Sequence, residues 1–447
     1  MSSGNGASRG GPESSRPWSA RRGPGWRSAL TLSVTQTVGF GVLSFAFAVL
    51  LLPMQDELGV GRGSLTAAFG LTVLVRAALA PGVGAWIDRR GARSVMSLGS
   101  VLAVGSIVAW SYATSLGQLV AVYLVLGVAG AGALYEPAFA LIARWFEGRE
   151  RTDAVLLMTT VAGFASTIFF PLTALLTEAF GWRGALRWLA LVLAICTVLP
   201  HALLLRDAIP SDHGASSGTP RRAGFDGVDV RAALADPGLR WLTAGFVAGT
   251  LSIMAISAHL PAMLVERGET ATLAASLAGV IGVAKAIGRL LLGAGSRRWS
   301  FPLLLAAVFI VQAIALVLLA LGSGRTTSVA FVVLFGIGAG SITIAKPLII
   351  AANYGRRSYG AIAGAVTLIV NIAQAVGPAL AGYGHDVHGD YRIVLTALAG
   401  CAAVAAACML RVERRPGVGW TASSPMPAPA PDDPAPDDRH ARPEETR

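Results

Sequence analysis

Lysine is almost missing from this chain. Lys285 and Lys346 are the only two among 36 basic residues, the rest being arginine. Charge of either sign is scarce, at 14% of 447 residues, against 54% hydrophobic residues and a mean hydropathy of +0.61. A soluble protein of this length needs more charge to cover its surface, so that class is excluded. There are three cysteines, Cys196, Cys401 and Cys408. All lie in apolar runs without metal-ligand spacing, which reads as small buried residues and predicts neither metal site nor disulfide. No GxxxxGK[ST] loop is present, so ATP hydrolysis is not expected to drive anything here. No apolar run holds a cluster such as His with Asp, which speaks against a membrane-embedded enzyme. Neither terminal segment looks able to fold as a sensor domain. No cofactor is expected.

Apolar runs of about 20 residues, the length a helix needs to cross a bilayer, recur along the chain. Twelve can be marked, from 28–54 to 391–411, predicting an all-α membrane protein. The longest polar interruption divides them six and six. The expected organisation is a disordered tail over 1–27, a six-helix bundle over 28–205, a linker over 206–239, a second bundle over 240–411, and a Pro-, Ala- and Asp-rich tail over 412–447. The first residues lack a signal peptide's early apolar region and cleavage site. The formal charge of +11 does not point to nucleic acid, because the arginines gather in alternate loops. One face holds Arg89-Arg90 with Arg93, Arg149 with Arg151, Arg297-Arg298, Arg356-Arg357 and Arg414-Arg415. The other holds little beyond Arg62, Arg183, Arg267, Arg325 and Arg392. By the positive-inside rule the Arg-rich face and both termini are expected to be cytoplasmic. Arginine-biased coding suggests a bacterial plasma membrane, with one chain as the working unit.

The chain also repeats itself. Gly84 with Asp88-Arg89 corresponds to Gly293 with Arg297-Arg298, a shift of 209. The same shift carries Arg76 onto Lys285 and Trp182-Arg183 onto Tyr391-Arg392, while Glu136-Pro137 falls on Lys346-Pro347 at 210. Two duplicated halves of like topology are expected, related by an axis along the membrane normal.

Gly84-x-x-x-Asp88-Arg89-x-Gly91-x-Arg93, between spans two and three, resembles the signature loop of the major facilitator superfamily. In the second copy the acid is replaced by Arg297. Gly59-x-x-Arg62, Gly181-Trp182-Arg183, ALADPGLRWL before span seven, and Arg289 with Gly293 resemble the monocarboxylate transporter and oxalate/formate antiporter branch. The resemblance implies twelve helices in two pseudo-symmetric bundles and secondary transport by alternating access. It also implies that Arg289 binds substrate and that Asp88 braces the two halves in one state, with Arg89 and Arg93 adding local pairs and Gly84 and Gly91 allowing close approach and a tight turn. The monocarboxylate transporters carry an acid four residues before the arginine. Lys285 stands there, so the branch's proton coupling does not carry over with the motif, and proton symport, exchange with a counter-anion and uniport all stay open.

Five charges lie away from span ends: Arg76, Glu136, Lys285, Arg289 and Lys346. Each opposes insertion by roughly 2.5–3.5 kcal/mol. They fall on spans two, four, eight and ten, and none on three, six, nine and twelve, the superfamily's peripheral helices. Arg76, Lys285 and Arg289 are expected to bind the carboxylate of a small organic anion, a mono- or dicarboxylate. The alternative is that each pairs with a neighbouring helix carbonyl or helix end. Glu136 and Lys346, each before a proline that can bend its helix, are expected to gate the cytoplasmic side as a salt bridge or to carry protons. The alternative is a static brace from Glu136 to Arg89, Arg93 or Arg144. A drug or metabolite exporter and a non-transporting receptor are the rival functions. Asn371, Gln374 and Gln36 are candidate polar contacts of substrate or another helix. His259 is a candidate substrate contact, and His385-Asp386-x-His388 reads as a solvated outer loop rather than a metal site.

Overall fold

The computed structural model describes residues 23–207, 230–296, 298–354 and 359–414, and every regular element among them is a helix. Among the described residues, eleven stretches are long and apolar enough to cross a membrane. The longest, Glu150–Leu203, has 54 residues, more than twice what one crossing takes. It breaks at Gly181, where φ 67° and ψ 168° leave the helical region, a conformation glycine adopts without strain. Counted this way the crossings are twelve. They are α1 (Pro24–Leu58), α2 (Arg62–Arg90), α3 (Ala92–Trp110), α4 (Leu116–Trp145), α5 (148–180), α6 (182–203), α7 (Pro237–Glu266), α8 (Ala271–Gly295), α9 (Phe301–Leu321), α10 (Gly324–Tyr354), α11 (Tyr359–His388) and α12 (Arg392–Arg414).

Helix starts follow local chemistry. Thr270 and Ser300 cap α8 and α9 by accepting from Leu273 N and Leu303 N, the usual use of a hydroxyl at a helix start. Asp236 accepts from Gly238 N and Pro237 takes the first position, so α7 begins inside the stretch assigned to the linker. A short helix, Val230–Ala235, precedes it. At the N-terminus α1 begins at Pro24, four residues inside the stretch read as a tail. At the other end α12 runs to Arg414, three residues into the stretch read as the second tail, while 1–22, 208–229 and 415–447 lie outside the described residues.

Each half has its own apolar core. One gathers residues such as Phe246, Phe309, Phe331 and Met409 from the second half. The others gather Phe47, Trp110, Tyr123 and Leu189, and Trp26 with Met96 and Leu141, from the first. The bundles meet along α2 against α11 and α5 against α8. These two crossings are related by the repeat. A Cβ on Gly70 would lie 2.5 Å from the Ala375 carbonyl oxygen, and one on Gly279 would lie 3.3 Å from that of Ser166. The differences 279 − 70 and 375 − 166 both equal 209. The sequence duplication is thus a pseudo-two-fold in space, and the missing side chains let backbones touch.

Candidate functional site

A chamber of about 190 Å³ lies between the bundles. It draws side chains from α1, α2, α4, α7, α8 and α11, and Arg76 and Lys285 both line it. Each stands 14 residues into its helix, counted from Arg62 and Ala271, or roughly 21 Å at helical rise. Two cations at one depth, one from each half, therefore share one space. Gln374, Ser44, Ser257 and Thr72 add polar groups, and the remaining wall is mainly apolar and aromatic. Ser44 and its neighbours arrive from a π-helical turn, Gly41–Phe45, inside α1. Such turns commonly mark functional positions. Toward the Arg-poor face, Phe47 and Phe69 stack at 4.1 Å. A Cβ on Gly340 would come within 2.0 Å of the Lys285 carbonyl oxygen, so this glycine lets α10 pack on the backbone of α8 at Lys285.

Arg76 Nε lies 4.0 Å from Glu136 Oε1. Among the described residues Lys285 has no hydrogen-bond or ion-pair partner. Arg289, one turn on from Lys285, does not line the chamber. Its Nη1 donates to the Thr159 carbonyl at 3.3 Å, across the α5–α8 junction, and its buried Nε is unpaired. Lys346 Nζ donates to Thr367 Oγ1 at 3.2 Å, from α10 to α11. Glu136 is thus paired with Arg76 here, a partner sequence reasoning did not consider, and not with Arg89, Arg93 or Arg144.

The local reason is a break in α4. Its two segments, Leu116–Ala133 and Tyr135–Trp145, are separated at Leu134, with φ −92° and ψ −151°. Pro137 has no N–H for the carbonyl four residues earlier, that of Ala133. Gln36 Nε2 donates to that same carbonyl at 2.9 Å. The break places Glu136 in the first turn of the second segment, where a carboxylate is favoured by the helix dipole. The repeat-related Lys346-Pro347 lies within α10, which is helical throughout.

The signature loop works within the first half. Asp88 Oδ1 lies 3.1 Å from Arg144 Nη2, with the Asp88 side chain 80% exposed. Gly91 turns at φ 81°. Asp207 accepts from Ala92 N at 2.7 Å and Arg93 N at 3.0 Å, capping α3, while Arg93 Nη2 reaches the Ala202 carbonyl. Arg89 is exposed. A side chain at Gly84 would meet nothing within 4 Å, so the close approach expected there is not made in this state. The contacts of the Arg-rich end of α2, Asp88 to Arg144 and the buried Ile87, are made within the first half.

The Arg-poor end is closed. Arg62, at the start of α2, is buried among residues of the second half. Its Nη1 pairs with Glu266 Oε1, donates to Tyr391 Oη at 3.0 Å and lies 3.1 Å from His385 Nε2. Its Nε donates to Gln55 Oε1 at 2.7 Å. Asp386 accepts from the backbone of Arg62 at 3.0 Å and of Gly63 at 2.8 Å. His259 Nε2 donates to the Pro378 carbonyl at 2.9 Å, so in a neutral ring Nδ1 accepts from Tyr391 Oη at 2.8 Å. Burial pushes the Tyr391 hydroxyl well above its usual pKa, against the pull of Arg62, and it stays a neutral donor. Two expectations are corrected here. His385-Asp386-x-His388 is the last turn of α11 rather than a loop, with His385 buried and Asp386 and His388 exposed. His259 is fully buried in this lock and does not line the chamber. Among the described residues no group of three or more His, Cys, Asp or Glu could hold a metal. Sequence reasoning missed the lock because Arg62 stands 204 positions from Glu266 and 329 from Tyr391. One signal was available, since Glu266 stands 209 after Glu57. Glu57 is held within its own half by Trp182 Nε1 and, at 2.9 Å, by Arg183 Nε.

The model described as the Major Facilitator Superfamily matches residues 32–378. The chain belongs to that superfamily. Human monocarboxylate transporter 11 is 30% identical over 336 residues, 72% of this chain and 69% of that protein. The oxalate:formate antiporter of Oxalobacter formigenes is 26% identical over 188 residues, 42% of this chain and 43% of the antiporter. Among solved structures, a bacterial homologue of the human lysosomal transporter Spinster, in an inward-facing and occupied conformation, superposes with a TM-score of 0.71. It covers 90% of this chain and 98% of its own, at 17% identity, which speaks to fold alone. This facilitator is therefore a multi-pass membrane transporter of the monocarboxylate and oxalate/formate branch.

Proposed function

We propose that this facilitator moves a small organic anion, a mono- or dicarboxylate, across a bacterial plasma membrane by alternating access, with both termini cytoplasmic. The observation that carries the reading is that Arg76 and Lys285, one from each half, line a single chamber. Arg76 has Glu136 at 4.0 Å and Lys285 has no acid beside it, so the three groups keep a net positive charge for an anion to balance. Arginine offers a planar fork to a carboxylate, and lysine a mobile point charge. With the Arg-poor end locked, the chamber faces the cytoplasm. The relatives' names support the carboxylate class. Arg289 acts as a tie between bundles that is remade in each cycle. Glu136 and Lys346 form the cytoplasmic gate, pairing when the chamber faces outward.

The test is a thermal-shift screen of purified protein against organic anions, followed by uptake of the best ligand into proteoliposomes. Arg76→Gln and Lys285→Gln should each weaken binding about tenfold or more, the worth of a charge-assisted hydrogen bond. Arg289→Gln should lower the rate more than the affinity. Normal uptake by both Arg76→Gln and Lys285→Gln would remove the assignment. Uptake with and without an internal anion, and with and without a proton gradient, separates exchange from symport. The apolar walls favour a second reading, export of an amphipathic metabolite, which the same screen detects as stabilisation by neutral ligands.

A further inference from the structure

The chamber holds two cations but not two free charges. Glu136 Oε1 lies 4.0 Å from Arg76 Nε. Arg144, on the same segment as Glu136, is taken by Asp88, and Arg76 is the one ion-pair partner of Glu136 found among the described residues. Nη1 and Nη2 of Arg76 make no hydrogen bond or ion pair to a described residue and stay available to a ligand. Lys285 has no acid beside it. The rest of the wall includes Phe40, Phe45, Phe47, Phe69, Leu126 and Met254.

Resting on the anion reading above, we infer that Glu136 sets the charge selectivity of the chamber. By neutralising Arg76 through its Nε edge it leaves one net positive charge, so the site accepts a monocarboxylate with a bulky apolar or aromatic body and rejects the matching dicarboxylate. The carboxylate sits between Lys285 and the outer nitrogens of Arg76, and the body lies on the aromatic wall. A second carboxylate would find no unpaired cation and would lose its hydration against apolar side chains. Glu136 does not touch the ligand. It acts through Arg76, and the α4 break, with Gln36 Nε2 on the Ala133 carbonyl at 2.9 Å, holds it in place.

The experiment compares phenylacetate with 1,4-phenylenediacetate, which share a ring and differ by one carboxylate. Affinities are measured by calorimetry on the full-length chain in detergent, for wild type, Glu136→Gln and Glu136→Asp. The wild type should prefer the monoanion. Glu136→Gln should shift the ratio toward the dianion by at least about twofold, the worth of a unit charge roughly 8–10 Å from the second carboxylate at the dielectric of water. Glu136→Asp should keep the wild-type preference. A residue that merely shaped the helix would change both affinities together and leave the ratio alone. An unchanged ratio in a Glu136→Gln protein that still binds phenylacetate would overturn the inference while sparing the anion reading. A wild type that binds neither ligand would overturn both. Should Glu136→Gln prove unstable, Arg76→Gln supplies the reciprocal measurement. With Glu136 then unpaired beside the chamber, dianion binding must fall further than monoanion binding, and equal losses would sink the idea.

Discussion

Gln36 shows how much one side chain can carry. Its amide donates to a carbonyl that a proline three positions after a helix break has left without a partner. Removing one partner of a buried hydrogen bond costs about 1–3 kcal/mol, more than the bond itself contributes. Gln36→Leu should therefore lower the unfolding free energy in detergent by that amount and disturb Glu136 and Arg76 with it. Loss of anion affinity larger than the loss in stability would show that the break positions the site. Arg289 lies at the other extreme of legibility. Its place in a motif points to substrate, yet it stands about one turn, roughly 6 Å, beyond Lys285 and donates to the Thr159 carbonyl across the bundle interface. Lys285, which departs from the branch's pattern, occupies the chamber instead.

At the scale of elements, α2 is the informative helix. Its first turns are packed on α11 through Gly63 and Gly70, and its far end at Gly84 is clear of neighbours. Substitutions along it should separate accordingly. Gly70→Leu pushes against the Ala375 backbone and should destabilise the protein by about 1–3 kcal/mol, read as a lowered melting temperature. Under the proposed alternating access, Gly84→Leu should leave the melting temperature unchanged and stop transport, because the Arg-rich end then has to close. A Gly84→Leu protein with normal uptake would mean that this end never packs. The charge swap Glu136→Lys with Lys346→Glu belongs here too. Uptake lost in either single variant should return in the double if the two meet as a gate, and a double variant no better than the singles would end that proposal.

For the whole molecule, the asymmetry between two related glutamates is the main finding. Glu57 is held inside its own bundle, while Glu266 reaches across to Arg62 of the other. In the alternating access proposed above, the first stays as a brace and the second breaks when the Arg-poor face opens. Arg62→Gln should shift the resting population toward that opening by roughly 1–3 kcal/mol, the range for a lost charged hydrogen bond. Spin labels at Asp56 and Val387, both exposed on that face and on opposite bundles, should then report a longer distance. An unchanged distance distribution would show that the backbone bonds to Asp386 alone keep the face shut.

Membrane residence, the number of crossings and the duplication were legible in the sequence, because apolar run length, loop charge and a repeat shift are properties of short stretches or of simple spacing. The marking of Arg76 and Lys285 as equivalent also came from spacing, and both line one chamber. What each charge pairs with was decided only by the tertiary structure. Arg62 meets Glu266, Tyr391 and His385, Glu136 meets Arg76, and Asp207 caps a helix 115 residues away from it. Such pairings depend on the rotation and tilt of whole helices against one another. Those are fixed by packing summed over both bundles, and no local window of residues contains them.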